Sequence, residues 1–204
     1  MLLASCNQVP VSVTAEPAPV DKAAVILENI MTRASVRSFT NEPVSRETLQ
    51  TIVRAGFQAP SAMNKQDWEV RIVDSQSKLT AASDIMKNAN PNATSRFPNK
   101  NAFGNAAAVL FIASEQSDQP GTAGQIDAGL LAENILLAAK ALGLGAVIQA
   151  SPIAMLSGSA EGQDFIKSLG FSDNYQPLFI IPIGYPDQEV SAGQRDTSKA
   201  KFVD

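Results

Sequence analysis

The chain has 204 residues, a length that suits one domain with a tail. Its residues are 45% hydrophobic and 18% charged, and 16 Lys and Arg stand against 20 Asp and Glu, so a wholly disordered chain is excluded and a net charge of −4 without a basic block argues against nucleic acid. With no histidine and Cys6 as its single cysteine, the chain has no Ser-His-Asp or Cys-His catalysis, no histidine metal site, no intrachain disulfide and no cysteine-ligated cluster. Redox or group-transfer chemistry must then come from carboxylates, Lys, Ser/Thr or a bound organic cofactor.

Residues 1–20 read as a tail. Leu3-Ala4-Ser5-Cys6 has the small residues before a Cys that mark a bacterial lipobox, and Asn7 to Val20 reads as a Pro- and Ala-rich tether. Only four residues precede Ser5-Cys6, shorter than the apolar run of a secretory signal. Cys6 is therefore either the lipid anchor of a truncated cell-envelope lipoprotein or an incidental thiol in a cytoplasmic protein.

The globular part is expected over 21–204. Asp21 can cap a helix with Val25, Ile26, Ile30 and Met31 on one stripe, followed by a basic, turn-like link from Arg33 to Phe39. Pro43-Val44-Ser45 opens a helix with Leu49, Ile52, Val53 and Phe57 on one face; Ala59 to Asp67 is a loop. Trp68 to Val73 alternates as a strand does, and Lys78 to Met86 reads as a helix. Asn88 to Asn105 is a polar loop. Ala106 to Ala113, apolar throughout, suits a strand buried on both faces. The longest helix, Ile126 to Leu142, is apolar nearly all round and is expected to be enclosed, in part by a second subunit. A short strand at Ala146 to Gln149, a helix ending at Phe165 to Leu169 and a strand at Leu178 to Ile183 complete the core, with a polar C-terminal arm from about 186 to 204. Strands alternating with helices give an α/β or α+β fold.

Three segments carry polar groups at suggestive spacing. Arg33-Ala34-Ser35-Val36-Arg37 places two guanidiniums around a hydroxyl; Arg forks hold phosphate bidentately, although cations also simply complement a helix C-terminus. Ala59-Pro60-Ser61-Ala62-Met63-Asn64-Lys65-Gln66-Asp67-Trp68 gathers amide donors and acceptors suited to a planar heterocycle, or forms an ordinary polar turn before a core Trp. Gly143-Leu144-Gly145 through Gln149-Ala150 allows close backbone approach or ends a helix.

In order and spacing these segments resemble the FMN-dependent nitroreductase family. Arg33 to Phe39 is similar to its R-x-S-x-R/K-x-F/Y opening, and Ala59 to Trp68 to its A-P-S-x-x-N-x-Q-P-W. Asp127 to Gly145 resembles its long helix ending in G-L-G, and Ile183-Gly184-Tyr185-Pro186 its closing strand and turn. The resemblance spans roughly residues 25 to 204. It implies an α+β sandwich with a central, mostly antiparallel sheet wrapped by helices, in an intertwined homodimer with FMN at the interface. It implies that Arg33, Ala34 and Ser35 hold the phosphate and ribityl end, with Arg37 near the pyrimidine edge of the ring. Asn64 and Gln66 would bond the ribityl chain and ring edge, and Pro60, Ser61 and Ala62 would come from the partner subunit. The backbone at Gln149 and Ala150 would face the reactive nitrogen. Arg195, with Lys199 second, would complete the phosphate site. Two positions depart from the family pattern: Asp67 stands where Pro is usual, and Thr197 where a second basic residue often stands.

The activity implied is hydride transfer from NADH or NADPH to FMN, then reduction of a nitroaromatic, quinone or similar small-molecule acceptor in ping-pong order. No side chain acts as nucleophile, because the cofactor carries the chemistry. Other readings are a lipid-anchored flavin- or ligand-binding protein without turnover, and a flavin-dependent dehalogenase.

Overall fold

The computed structural model describes residues 20–94, 99–116 and 123–203. The tail with Cys6 and part of the Asn88 to Asn105 loop therefore lie outside the described residues.

Among the described residues six helices and four strands follow one another: α1 (Lys22–Thr32), α2 (Arg46–Gly56), β1 (Trp68–Val73), α3 (Gln76–Ala89), β2 (Ala108–Glu115), α4 (Ala123–Ala141), β3 (Gly145–Ala146), α5 (Ser151–Ser157), α6 (Ala160–Lys167) and β4 (Tyr175–Gly184). The strands form one antiparallel sheet in the order β1-β2-β4-β3, so this is the expected α+β sandwich. Capping side chains set the helix starts. Asp21 accepts from the Ala23 and Ala24 amides, Ser45 from Thr48, Ser75 from Lys78 and Ser159 from Gly162.

The apolar run in β2 is explained by two cores, one on each face of the sheet. Ala108, Leu110 and Ile112 point with Ile181 and Ile183 toward α2 and α4, whereas Val109 and Phe111 point with Ile180 toward α3, α5 and α6. Side chains alternate along a strand, so a strand covered on both faces reads as continuous apolar sequence. Trp68 is buried in the first core and stacks on Phe57 at 6.4 Å between ring centroids.

β4 begins three residues before its expected start. The ladder skips a residue there, pairing Ile112 with Phe179 but Ala113 with Pro177, so Leu178 is the extra residue of a bulge beside a proline. Pro182 also lies inside this central strand. Its missing N–H falls on the β3 side, between the Ala146–Ile183 and Gln149–Ile180 pairs, where the ladder is already broken.

Two helices leave apolar surface open in the single chain, and two expectations need correction. No residue of α1 is buried in the single chain, and its apolar stripe is open, with Ile26 60% and Met31 75% exposed; it packs against α4, where Asn29 Nδ2 donates to the Leu137 carbonyl. Helix α4 buries one face within the chain, with Leu131, Ile135 and Leu136 covered and Ile126 and Leu130 open. The Asn88 to Asn105 stretch is less of a loop than its polarity suggests. Helix α3 runs into it to Ala89, a 3-10 turn follows at Pro91–Thr94, and Ala102 and Phe103 are buried in the second core. The Arg33 to Phe39 link is extended backbone along the sheet, with Ser35 bridged to Ala146 in parallel and Phe39 to Pro186 antiparallel.

Candidate functional site

Glycine chemistry builds the cleft. Helix α4 ends in a Schellman arrangement: the Leu144 amide donates to the Ala139 carbonyl and that of Gly143, at φ 75°, to Lys140. The chain is thereby turned straight into β3. There a Cβ on Gly145 would lie 2.6 Å from Val36, so only glycine lets the Arg33–Arg37 segment lie against β3. The Val36 amide donates to the Ala146 carbonyl at 3.2 Å, which fixes the register.

The result is a cleft of about 210 Å³ walled by Arg33, Ala34, the Gly143–Ala146 turn, Lys140 and, from the C-terminal arm, Pro186 and Val190. The Arg33 side chain is 19% exposed, and its Nε lies 3.3 Å from Glu133 Oε1 on α4. That contact occupies one edge of the guanidinium and leaves both Nη groups for another acceptor. Arg37 is half-buried and gives Nη1 to the Ser35 carbonyl at 3.3 Å. Gln149 spends both backbone groups on Ile180, so of the expected pair it is Ala150, exposed at the start of α5, whose N–H lies outside the ladder.

The second expected segment is a compact turn, with a 3-10 helix at Ala62–Asn64. The Ala62 amide donates to Asp127 Oδ2 and the Gln66 amide to Ser61 Oγ, both at 3.0 Å. Met63, Asn64 and Gln66 all have positive φ, near 55°, which costs a non-glycine residue about 1 kcal/mol each. Pro60, Asn64 and Gln66 face outward, and Ser61 and Ala62 are half-buried. This turn sits on the first turns of α4, by Asp127. The Arg33 cleft lies against the last turns, at Lys140, about 20 Å along the helix axis. Within one chain, then, Arg33 and Ala34 wall the cleft, Ser35 bridges to Ala146 and Arg37 bonds the Ser35 carbonyl, while Gln149 and Ala150 follow β3 outside the cleft's walls. Pro60, Ser61, Ala62, Asn64 and Gln66 stand apart from the cleft.

Arg195 is not in the cleft. It is exposed and turns Nη1 back to the Gly193 carbonyl at 2.7 Å; Lys199 is exposed on the 3-10 turn Thr197–Lys199. The arm that carries both is pinned at its root. Ser38 Oγ donates to Asp187 Oδ2 at 3.0 Å, and Lys100 Nζ bonds that same oxygen and the Phe39 carbonyl. Lys100 holds the Asp187 carboxyl below its ordinary value of 3.8; desolvation opposes this and Ser38 adds to it. A depressed carboxylate stabilises above its unfolded pKa and loses that contribution as pH falls, so this latch is closed at neutral pH and opens only below about pH 4. Asp187→Asn should loosen it by about 1–2 kcal/mol. At pH 7 trypsin should then cut the arm at Arg195, Lys199 or Lys201 about tenfold faster than in the wild type. Equal cleavage rates would exclude the latch.

Sequence reasoning missed Lys140, Glu133, Asp127 and the Lys100–Asp187–Ser38 latch. Only Asp127 left a sequence signal, as a charge four residues before Leu131 on the stripe that α4 buries. The latch joins positions 87 residues apart and leaves no periodicity to read.

Comparison with known proteins places this architecture. The profile of the Nitroreductase family matches residues 30–185. An NADPH-flavin oxidoreductase from Vibrio harveyi is 30% identical over 177 residues, 79% of this chain and 66% of that protein, so just under two thirds of its length is spanned. A putative NADH dehydrogenase/NAD(P)H nitroreductase from Archaeoglobus fulgidus is 28% identical over 80% of this chain and 86% of its own. The crystal structure of a nitroreductase with bound FMN from Desulfitobacterium hafniense DCB-2 superposes with a TM-score of 0.78 at 26% identity, covering 88% of this chain and 98% of that one. The fold is that of the nitroreductases. The chain belongs to the nitroreductase family.

Proposed function

We propose that this protein is an FMN-dependent oxidoreductase. It takes hydride from NADH or NADPH and reduces small acceptors, such as nitroaromatics or quinones, in ping-pong order at one pocket. The observation that carries the reading is the Arg33 cleft, where a largely buried guanidinium, oriented by Glu133, keeps its Nη edge for an anion, with Lys140 on the same wall. This donor set fits a phosphate monoester. Bound FMN would supply reversible hydride uptake at its ring. Arg33 and Lys140 would neutralise the phosphate, and Ser35 would donate to it or to the ribityl chain. Arg37 would place positive charge near the ring's pyrimidine edge, where reduction adds negative charge. Ala150 would offer its backbone N–H.

The outward amides of Asn64 and Gln66 would reach such a ligand from a second copy, since within one chain they stand at the other end of α4. The open face of α1 supports the homodimer. Between α1 and α4 runs a groove of about 670 Å³ walled by Val25, Ile26 and Ile30, apolar surface of the kind that marks a protein interface.

An absorption spectrum of the purified protein with added FMN, followed by anaerobic NADH and NADPH, tests the reading. Flavin that binds and bleaches with either nucleotide is expected. A folded protein that binds no flavin sinks the proposal, and flavin that binds but stays oxidised leaves a binding protein fed by some other donor. The lipobox-like Leu3-Ala4-Ser5-Cys6 and its tether support a second, separable reading, a lipid anchor at Cys6. Partition of the cell-derived protein into the detergent phase, with a mass raised by acyl chains, is the result it requires.

A further inference from the structure

Asp127 is 4% exposed and stands on the buried face of α4 beside Ala128 and Leu131. A buried carboxylate is costly unless its bonds do something an apolar residue cannot. Among the described residues its bond runs to the Ala62 N–H, at 3.0 Å. Ala62 is the hinge between extended Ser61, at φ −134° and ψ 154°, and the positive-φ run at Met63, Asn64 and Gln66. That run turns the side chains of Asn64 and Gln66 outward.

We infer that Asp127 is a positioning residue: by holding the Ala62 amide from within the core, it fixes the strained turn that presents Asn64 and Gln66 to the flavin. The inference rests on the FMN reading for what the turn meets. The hold itself is a property of the flavin-free chain.

Two side-chain replacements separate this role from plain packing. Asp127→Leu keeps the length and branching of the side chain and removes the acceptor; Asp127→Asn keeps a carbonyl oxygen for the Ala62 amide and removes the charge. In Asp127→Leu, hydrogen exchange over Ala62 to Gln66 of the flavin-free protein should quicken about tenfold, and the dissociation constant for FMN should rise about tenfold. The thermal midpoint of the flavin-free protein should stay within a few degrees, since an apolar residue suits the core. Asp127→Asn should recover most of both losses, which a purely electrostatic role would not allow. Should Asp127→Leu fail to fold, Ala62→Pro removes the same bond from the donor side, after a residue already extended as proline requires, and should weaken FMN equally. Unchanged exchange in Asp127→Leu overturns the hold. Quickened exchange with FMN affinity unchanged overturns the positioning role. A wild-type chain that binds no FMN overturns the cofactor reading instead, while the exchange result still decides whether Asp127 holds the turn.

Discussion

Gly104→Ala is expected to lower the stability of the chain by about 2–5 kcal/mol, the sum of an unfavourable backbone conformation and an overpacked contact. Gly104 has φ +65°, and a Cβ there would lie 2.0 Å from the carbonyl oxygen of Arg37. The obstacle is backbone, so no side chain can swing aside. Either the Gly104 turn or the Arg37–Ser38 peptide must move, and the second is tied in place because the Phe39 amide donates to the Gly104 carbonyl at 2.9 Å. A chain of this size should lose about 6–15 °C of thermal midpoint. Gly170→Ala is the control. Gly170 also has positive φ, +69°, but nothing lies within 4 Å of the added carbon. Its loss should be about 1 kcal/mol, the backbone term alone. Equal losses at the two positions would show that the Arg37 carbonyl is not the obstacle. The same displacement would shift Arg37, so flavin binding should fall with stability in Gly104→Ala and hold in Gly170→Ala.

Arg33→Ala has the opposite signature, a large loss of binding on an intact fold. The Arg33–Glu133 pair contributes little to stability, because the Glu133 side chain is 48% exposed and such pairs are worth about 0–1 kcal/mol. A phosphate on the free Nη edge would receive a charge-assisted, two-pronged contact worth about 3 kcal/mol, so the dissociation constant for FMN should rise about 100-fold. Arg33→Lys should fall between, since an ammonium brings charge without the fork. Fluorescence titration of FMN, with thermal denaturation of the flavin-free protein beside it, separates the terms. An FMN affinity within threefold of wild type for Arg33→Ala would remove the phosphate from this cleft. Affinity lost only in step with stability would make Arg33 a structural residue.

Much of the fold was legible because it rests on local periodicity. β1 occupies the residues its alternation marks, and the fully apolar stretch became the strand with a core on each face. What sequence reading missed depends on distant partners or on exceptions. Pro177 hid the start of β4, since a proline reads as a strand break until a bulge is seen to absorb it. Helix α5 went unread because its seven residues, Ser151–Ser157, are too short to set a period. Of the candidate site, the Arg33 segment, the Ala59 to Trp68 turn and the glycine turn were legible as motifs. Their grouping was not. That Arg33 and Lys140 share a wall follows from how Gly143 turns the chain and Gly145 admits Val36. The arm was legible only as polar sequence, and its root is fixed by Lys100, which stands in a stretch read as loop.

The order of strands also governs how the protein is made. β2 is uncharged and proline-free from Ala108 to Ser114, and one of its two edges waits for β4, whose first paired residue, Tyr175, emerges 60 residues after Glu115. At ordinary ribosomal speed that leaves an adhesive strand half-covered for about 3–12 s in every round of synthesis. β1 precedes β2 in the chain and can shield one edge at once. The remaining edge is the point at which a nascent chain can pair with its neighbour on the same message. Crowded expression should therefore yield insoluble protein even when the finished molecule is stable, and slowing initiation should help more than lowering the denaturing stress.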